Sequence, residues 1–538
     1  MRSIATLVAR QGLRTLPKTR LSIPTTAAPS FFHRSSRSFS ATTAFRQTED
    51  GGRKWSTPLA KRLADAINIT GPIPLASYMR MCLTGDIGGY YTGALEKGRD
   101  QFGRKGDFIT SPEISQVFGE LIGIWFVAEW MSQGRPKQGV ELIEVGPGRG
   151  TLMDDILRTI RNFKDMASAI DAVYMVEASA ELRTAQKNLL CGEGAQSQES
   201  KAGHHSTSKY SDLPIVWTET VKSIPQKPDS TPFIVAHEFF DALPIHAFQV
   251  VEVPPTQKTP SPVSTPGPNP KTPNAASPTL QWREMVVAPT PPDSTHQSLG
   301  TPKAEQHGGP VPDFQLTLAT SSTRHSLYLP ETSSRYRALK ATPNALIEVC
   351  PDASLYASDF AARIGGSPEH PKQKPSGAAL ILDYGPSDTI PVNSLRGIKQ
   401  HQRVSSFSEP GLVDLSADVD FLAIAESAMK ASEGVEVHGP VQQADFLEGM
   451  GIQQRADMLA KRAGQGDDKK KVEIGKACQR LVDRGPDGMG KLYKALAILP
   501  ENDGRRRPVG FGAIYWVKRH CLWTSFAYTV ADPLYQYV

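Results

Sequence analysis

The run Glu-Val-Gly-Pro-Gly-Arg-Gly-Thr, Glu144 to Thr151, combines an acid, a proline and three glycines at a spacing suited to holding a nucleoside. Gly146, Gly148 and Gly150 let backbone approach a ligand closely because no Cβ intervenes. Pro147 and Thr151 join Glu144 and the glycines as expected ligand contacts, ahead of a helical run from Leu152. A dinucleotide site spaces its glycines G-x-G-x-x-G, so that a helix N-terminus meets a pyrophosphate. Here the spacing is G-x-G-x-G, which points to a ligand without phosphate. A second acid on the next strand should accept the two hydroxyls of a ribose. Glu177 lies close to the offset of roughly 20 residues at which dinucleotide sites place such an acid. Farther on, His237, Glu238, Phe239, Phe240 and Asp241 put two carboxylates, two aromatic rings and an imidazole in one short stretch.

These residues need a scaffold that delivers them to one place. Val140, Leu142, Ile143 and Val145 form an apolar run before the glycines, and Leu152 to Ile160 reads as a helix after them. Glu177 ends a second apolar run, Ala172 to Val176. Further strands are expected at Pro214 to Thr218, Phe233 to His237 and Ala378 to Asp383. Strands alternating with helices mark a doubly wound, Rossmann-like α/β sheet whose ligands sit at the carboxyl ends of the strands. Glu144, Glu177 and the 237–241 stretch all fall there.

The glycine motif resembles motif I of the class I S-adenosylmethionine (SAM) methyltransferases, whose cofactor has no phosphate and carries a sulfonium cation. The resemblance extends along the chain. GDFITSPEISQVFGE (Gly106 to Glu120), ELIEVGPGRGTLMDDILR (Glu141 to Arg158), AHEFFDALPIHAFQ (Ala236 to Gln249), LILDYG (Leu380 to Gly385) and DLSADVDF (Asp414 to Phe421) occur in an order similar to that of the MidA-type mitochondrial protein arginine methyltransferases. Weaker matches continue through His438 to Ile452 and Met489 to Ile498. That resemblance implies a class I methyltransferase fold with a helical N-terminal segment and a helical insertion, SAM as cofactor, and symmetric dimethylation of an arginine on a core subunit of the complex I peripheral arm. It also implies that the segment carrying Asp107, Thr110, Ser111 and Glu113 covers the cofactor, although helix capping explains Ser111 and Glu113 equally well.

An arginine acceptor assigns roles to the 237–241 stretch. A guanidinium with a pKa above about 12 is a poor nucleophile. Carboxylates that hold it by bidentate hydrogen bonds draw its charge toward the nitrogens they contact. Glu238 and Asp241 are the expected catalytic pair, and Phe239 and Phe240 the expected aromatic walls of the acceptor site. Both rings also suit a core, Asp241 also suits a turn cap, and His237, a conceivable proton acceptor, is of a kind that is usually structural at a strand end. Asp383-Tyr384-Gly385 could reach the site from the far side. Arg396, Lys399 and His401 form a basic loop that could hold an acidic surface or the cofactor's carboxylate. Two other readings remain open: a SAM-binding assembly scaffold without turnover, and a dinucleotide oxidoreductase, which the glycine spacing disfavours.

The first 48 residues hold seven Arg, one Lys and no acid, a mitochondrial transit-peptide composition that predicts a matrix protein. Outside that leader, 52 basic residues face 55 acidic ones, so no nucleic-acid surface is expected. No apolar run approaches the ~20 residues of a membrane span. Cys82, Cys191, Cys350, Cys478 and Cys521 lack zinc spacing and suit free thiols, and no metal site is expected. The sequence leaves open whether the chain is a homodimer.

The chain thus divides into the leader over 1–48, a helical segment covering the cofactor over 55–135, and the SAM-binding core over 136–442. A helical insertion over 443–490, a closing strand over 491–499 and an unassigned tail over 513–538 complete it. Polar or Pro-rich stretches near 192–210, 254–278, 289–311 and 365–376 are expected to be disordered insertions. Ile245 to Val253 and Leu280 to Val287 should pair as a hairpin around the longest of them.

Overall fold

The computed structural model describes residues 53–93, 101, 103, 106–200, 203–253, 279–306, 309–462 and 468–512. The leader over 1–48, the stretch at 254–278 and the tail over 513–538 lie outside the described residues.

Seven strands make the body of the main sheet: β1 (Val140–Val145), β2 (Ile170–Val176), β3 (Pro214–Thr218), β4 (Thr231–His237), β5 (Ala378–Tyr384), β6 (Val435–Gln442) and β7 (Tyr493–Pro500). Their order is β6-β7-β5-β4-β1-β2-β3. From β5 to β3 every pairing is parallel, and β7 and β6 add antiparallel strands at one side. The parallel strands read as nearly continuous apolar runs because helices cover both faces. On one face lie α3 (Gln116–Ser132) and α4 (Thr151–Ile160), with Phe118, Trp125 and Ile156 packed on Phe233 and Leu380. On the other lie α5 (Pro351–Gly365) and α6 (Phe421–Ala431), with Phe360 and Phe421 against Ile234 and Ile381. The chain winds outward from β1 to β2 and β3, then returns to β4 on the opposite side. β1 and β4 therefore flank the point where strand order reverses, which is where such sheets open a crevice for ligands.

A second sheet is built on the expected hairpin. His246–Val253 pairs with Thr279–Pro289, joined by Ile73–Pro74, Phe314–Leu318 and Leu346–Val349. Two N-terminal helices, α1 (Pro58–Thr70) and α2 (Leu75–Thr84), pack with this sheet through Leu63, Tyr78, Val287 and Phe314. Gly71 to Pro74 separates them. A three-stranded ribbon of Arg396–Lys399, Gln402–Val404 and Asp414–Ser416 packs nearby. Over 443–490, Gln443–Gly449, Ile452–Arg462 and Asp468–Val482 are helical.

Several sequence expectations require correction. Part of 192–210 is a hairpin, Gln198–Ser200 with Gly203–Thr207, that extends the main sheet beyond β3. The open edge of β3 supplies backbone partners to this polar segment, so it needs no core of its own. Residues 365–376 are ordered around Lys372, whose Nζ donates to the carbonyls of Ser230 at 2.7 Å and Arg363 at 2.9 Å. Within 289–311, Lys303–Gln306 is helical and Glu305 meets Arg403 at 3.0 Å. In each case polar contacts to a neighbouring element replace apolar burial. Leu346–Val349, just before the helix Pro351–Gly365, is a strand because β-branched Ile347 and Val349 continue the second sheet. The short helix Ser111–Ile114 is separated from α3 by Ser115, whose backbone is extended and whose Oγ accepts from Val117 N at 3.3 Å.

Candidate active site

The turn after β1 is built on left-handed backbone. Gly146, Gly148 and Gly150 have φ of 67°, 52° and 84°. A Cβ on Gly146 would stand 2.6 Å from Cδ2 of Phe239, and one on Gly150 3.2 Å from Cγ of Gln186. Glycine is required here by both conformation and space. The turn lines a cavity of about 320 Å3. Of the residues expected to hold a cofactor, Glu144, Gly146, Pro147, Gly148, Thr151, Glu177 and Thr110 all border this cavity. Gly150 does not; it shapes the turn against Gln186.

The cavity carries a pronounced acidic bias. Among the described residues, Glu113, Glu144, Glu177, Glu219, Glu238 and Asp352 line it against two cations, Arg80 and Arg149. Both cations are already paired, Arg80 with Asp352 at 3.1 Å and Arg149 with Glu113 at 3.3 Å. A pyrophosphate would be repelled by such a wall, whereas a sulfonium and an ammonium suit it. Glu144 is buried and its Oε2 has no partner on the described chain. Burial pushes its carboxyl well above the usual carboxylate range. Such a buried acceptor costs free energy until a donor reaches it. Glu177 is held by Ser179 N at 2.8 Å and Gln186 Nε2 at 3.3 Å, which leaves lone pairs on both oxygens. Burial raises its carboxyl to about 7. Gln186 also donates to the carbonyl of Gly148 at 2.6 Å and accepts from Trp217 Nε1 at 2.9 Å. It ties Glu177 to the glycine turn, a role that nothing in the sequence signalled. These features fit SAM: an orphaned carboxylate oxygen for its ammonium, a fixed carboxylate for its ribose, and bare backbone between them.

After β4 the chain enters a tight turn. Glu238 has φ 49°, left-handed for a residue with a Cβ. Strain of this kind persists only where surrounding contacts impose it. Asp383 imposes it: its Oδ2 accepts from the backbone N of Phe239, Phe240 and Asp241 at 3.1, 2.9 and 3.3 Å. Asp383, fully buried at the end of β5, is thus the anchor of the turn. His237 Nε2 stands 3.2 Å from Glu238 Oε1, and its ring centroid lies 5.1 Å from that of Phe118.

Asp241 projects into a second, larger cavity of about 930 Å3, together with Tyr91, Asp107, Tyr384, Arg396 and Asp414. Tyr384 donates its hydroxyl to Asp241 Oδ2, while Oδ1 has no partner on the described chain. Arg396 lies over the Tyr384 ring at 4.4 Å and pairs with Asp418 at 2.7 Å. Burial raises Asp241 to about 6 and Asp414 to about 7. Glu238 lines both cavities.

Several site expectations change. Asp107 borders the second cavity rather than the first, and its carboxylate is engaged by Tyr90 Oη at 2.7 Å and Gln400 N at 2.7 Å. Phe240 is a core residue with ring centroids 5.6 Å from Phe239 and 6.3 Å from Phe360, and it lines neither cavity. Phe239 walls the first cavity, not the second. Arg396 and His401 belong to the second cavity, which removes them from the cofactor's carboxylate.

Comparison with known proteins agrees with this geometry. Residues 121–441 match the family model described as "Putative S-adenosyl-L-methionine-dependent methyltransferase". The protein arginine methyltransferase NDUFAF7, mitochondrial, of Rattus norvegicus is 34% identical, over 82% of this chain and 85% of its own. Its Homo sapiens counterpart is 33% identical, over 82% and 84%. Both relatives are named as mitochondrial proteins, which is the compartment of this chain. A superfamily protein from Burkholderia thailandensis, crystallised with S-adenosyl-homocysteine, superposes with a TM-score of 0.56 at 20% identity, covering 85% of this chain and 93% of that one, and shares its fold. An acidic, glycine-floored pocket at the sheet's reversal point and a family match over most of the core lead to one conclusion: the chain belongs to the S-adenosyl-L-methionine-dependent methyltransferases.

Proposed function

We propose that this enzyme methylates arginine side chains of a protein in the mitochondrial matrix, and that its acceptor enters through the second cavity. The observation that carries this reading is the position of Glu238, whose side chain borders the donor cavity on one side and the acceptor cavity on the other. Its Oε1, which faces His237 Nε2 at 3.2 Å without a hydrogen bond, and Asp241 Oδ1 are buried oxygens whose lone pairs are left for a ligand's donors. A guanidinium presents a planar fork of N–H donors that can engage two such oxygens together. When bound, SAM would supply a methyl group on a sulfonium, whose sulfur would leave as a neutral thioether opposite the incoming nitrogen. The chain's own residues position the acceptor: Asp383 fixes the turn, Tyr384 orients Asp241, and Glu238 takes the proton that the attacking nitrogen loses. Positioning of this kind supplies much of the rate in a displacement that needs little further chemistry.

The finer reading, which rests on the resemblance, is symmetric dimethylation of a core subunit of the complex I peripheral arm in support of its assembly. Purified protein, methyl-labelled SAM and matrix extract from a deletion strain test both levels. Label on arginine of a peripheral-arm subunit is expected, with symmetric dimethylarginine after hydrolysis. Label on another residue type, or on no protein, overturns the arginine reading. Restoration of complex I by a Glu238→Gln protein that no longer methylates would instead identify a scaffold.

A further inference from the structure

We propose that the second sheet holds a divalent transition-metal ion of the zinc class, bound by His246, Glu284 and His325, as a brace apart from the methyl-transfer site. None of the three lines either cavity described above. They come from three places in the chain. His246 opens the strand His246–Val253, Glu284 sits within Thr279–Pro289, and His325 lies on the short helix Arg324–Tyr328. The ladder pairs Phe248 with Glu284, and side chains two apart on a strand share a face, so His246 lies on Glu284's face one step along.

Glu284 is fully buried. A buried carboxylate ordinarily needs a fixed cation. Its contacts are instead His246 Nδ1 at 2.8 Å, His325 Nδ1 at 3.2 Å and the Thr323 hydroxyl at 2.5 Å. One ligand atom from each of the three residues falls within 4.8 Å of the others. Bonds of about 2.0–2.2 Å from zinc to nitrogen or oxygen place neighbouring ligands roughly 3.3 Å apart, so small side-chain rotations admit an ion. Two imidazoles and one carboxylate favour zinc-class ions over magnesium or calcium, which prefer all-oxygen shells. Thr323 is the outer partner that orients the carboxylate, as sites of this type require. The ring of Phe248 stacks on His246 at 6.1 Å and fixes its plane. His246 and Glu284 are buried while the His325 side chain is 35% exposed, which gives the ion a path in and leaves a coordination position for water. Such an ion would pin Arg324–Tyr328 to the strand that leaves the 238–245 turn.

The test uses full-length protein without an affinity tag, stripped with chelator and titrated with Co2+. One equivalent of Co2+ with visible ligand-field bands is expected, displaced by Zn2+, with affinity about 100-fold weaker in His325→Ala. Zn2+ should raise the melting temperature of the parent and leave that of His325→Ala unmoved. Should His325→Ala fail to fold, His325→Asp keeps an oxygen donor and should bind Co2+ with shifted bands. An absence of bands, or bands unchanged in either variant, overturns the site and leaves a hydrogen-bonded His-Glu-His cluster.

Discussion

The two cavities that meet at Glu238 are built on different plans. The donor side draws its acids and its floor from consecutive strand ends: Glu144 and the glycine turn follow β1, and Glu177 follows β2. The second cavity, the proposed acceptor side, gathers Tyr91, Asp241, Tyr384, Arg396 and Asp414 from segments scattered over more than half the chain. A cofactor that does not vary can be held by backbone and a few local side chains. A protein acceptor needs a wider mouth lined by many elements, and this mouth is nearly three times as voluminous, about 930 against 320 Å3.

If Phe240 belonged to the acceptor wall, its removal would raise KM. As a core residue it should act on stability instead. Phe240→Ala is expected to cost about 3–5 kcal/mol of folding free energy, the usual range for such truncations in cores. Denaturant unfolding measures this, and a stable variant with an altered KM would return Phe240 to the acceptor side. Glu238→Gln keeps the shape but weakens the hold on a guanidinium. Turnover should fall about 10^2–10^3-fold, as when a positioned charge-stabilising group is lost. SAM affinity should move less than about 3-fold, because Glu144 and Glu177 remain. Equal losses in both quantities would mean that the two cavities are not functionally distinct.

The difference in plan also explains how much the sequence alone could reveal. The glycine turn, Glu144, Glu177 and the parallel core were legible because they are local: an apolar run, a turn and a helix start stand side by side in sequence. The turn that carries Glu238 and Asp241 was legible through a motif, but the reason Glu238 adopts a left-handed backbone was not, since Asp383 reaches it from another strand. Gln186 gave no signal, for a glutamine in a helix has many roles and only the fold sets it between Trp217 and Gly148. Phe240 shows the limit of aromatic pairs: adjacent residues in a turn point in different directions, so one faced the cavity and the other the core. The hairpin within 192–210 was hidden because composition reports what a segment can bury, not which open strand edge awaits it.

The donor side has its own sharp test. Gly146→Val combines a disfavoured φ of 67° with a Cβ that would collide with Phe239. Backbone strain alone costs about 1–3 kcal/mol, and displacement of the ring into the pocket adds to it. SAM should bind at least about 100-fold more weakly by calorimetry, a loss that already corresponds to about 2.7 kcal/mol. Retained affinity would show that this turn does not floor the cofactor site.

The smallest effect expected is a pH dependence that belongs to the donor side alone. Burial raises Glu177 from its ordinary 4.5 to about 7. The folded state therefore holds this proton more tightly than the unfolded chain, and the group's contribution to stability declines as pH rises from about 4.5 through about 7. Binding runs the other way, because ribose hydroxyls donate best to the ionised carboxylate. Near pH 6 only about a tenth of the sites carry that charge, and near pH 8 about nine-tenths do, so the apparent Kd for SAM should tighten up to about 10-fold over this interval. Titration without acceptor isolates the effect from Asp241 and Asp414, which titrate in the other cavity. Glu177→Gln should flatten the slope. A slope that survives in that variant transfers the titration to Glu144, the other buried acid of the same pocket, and a flat profile in the parent removes the carboxylate from ribose recognition.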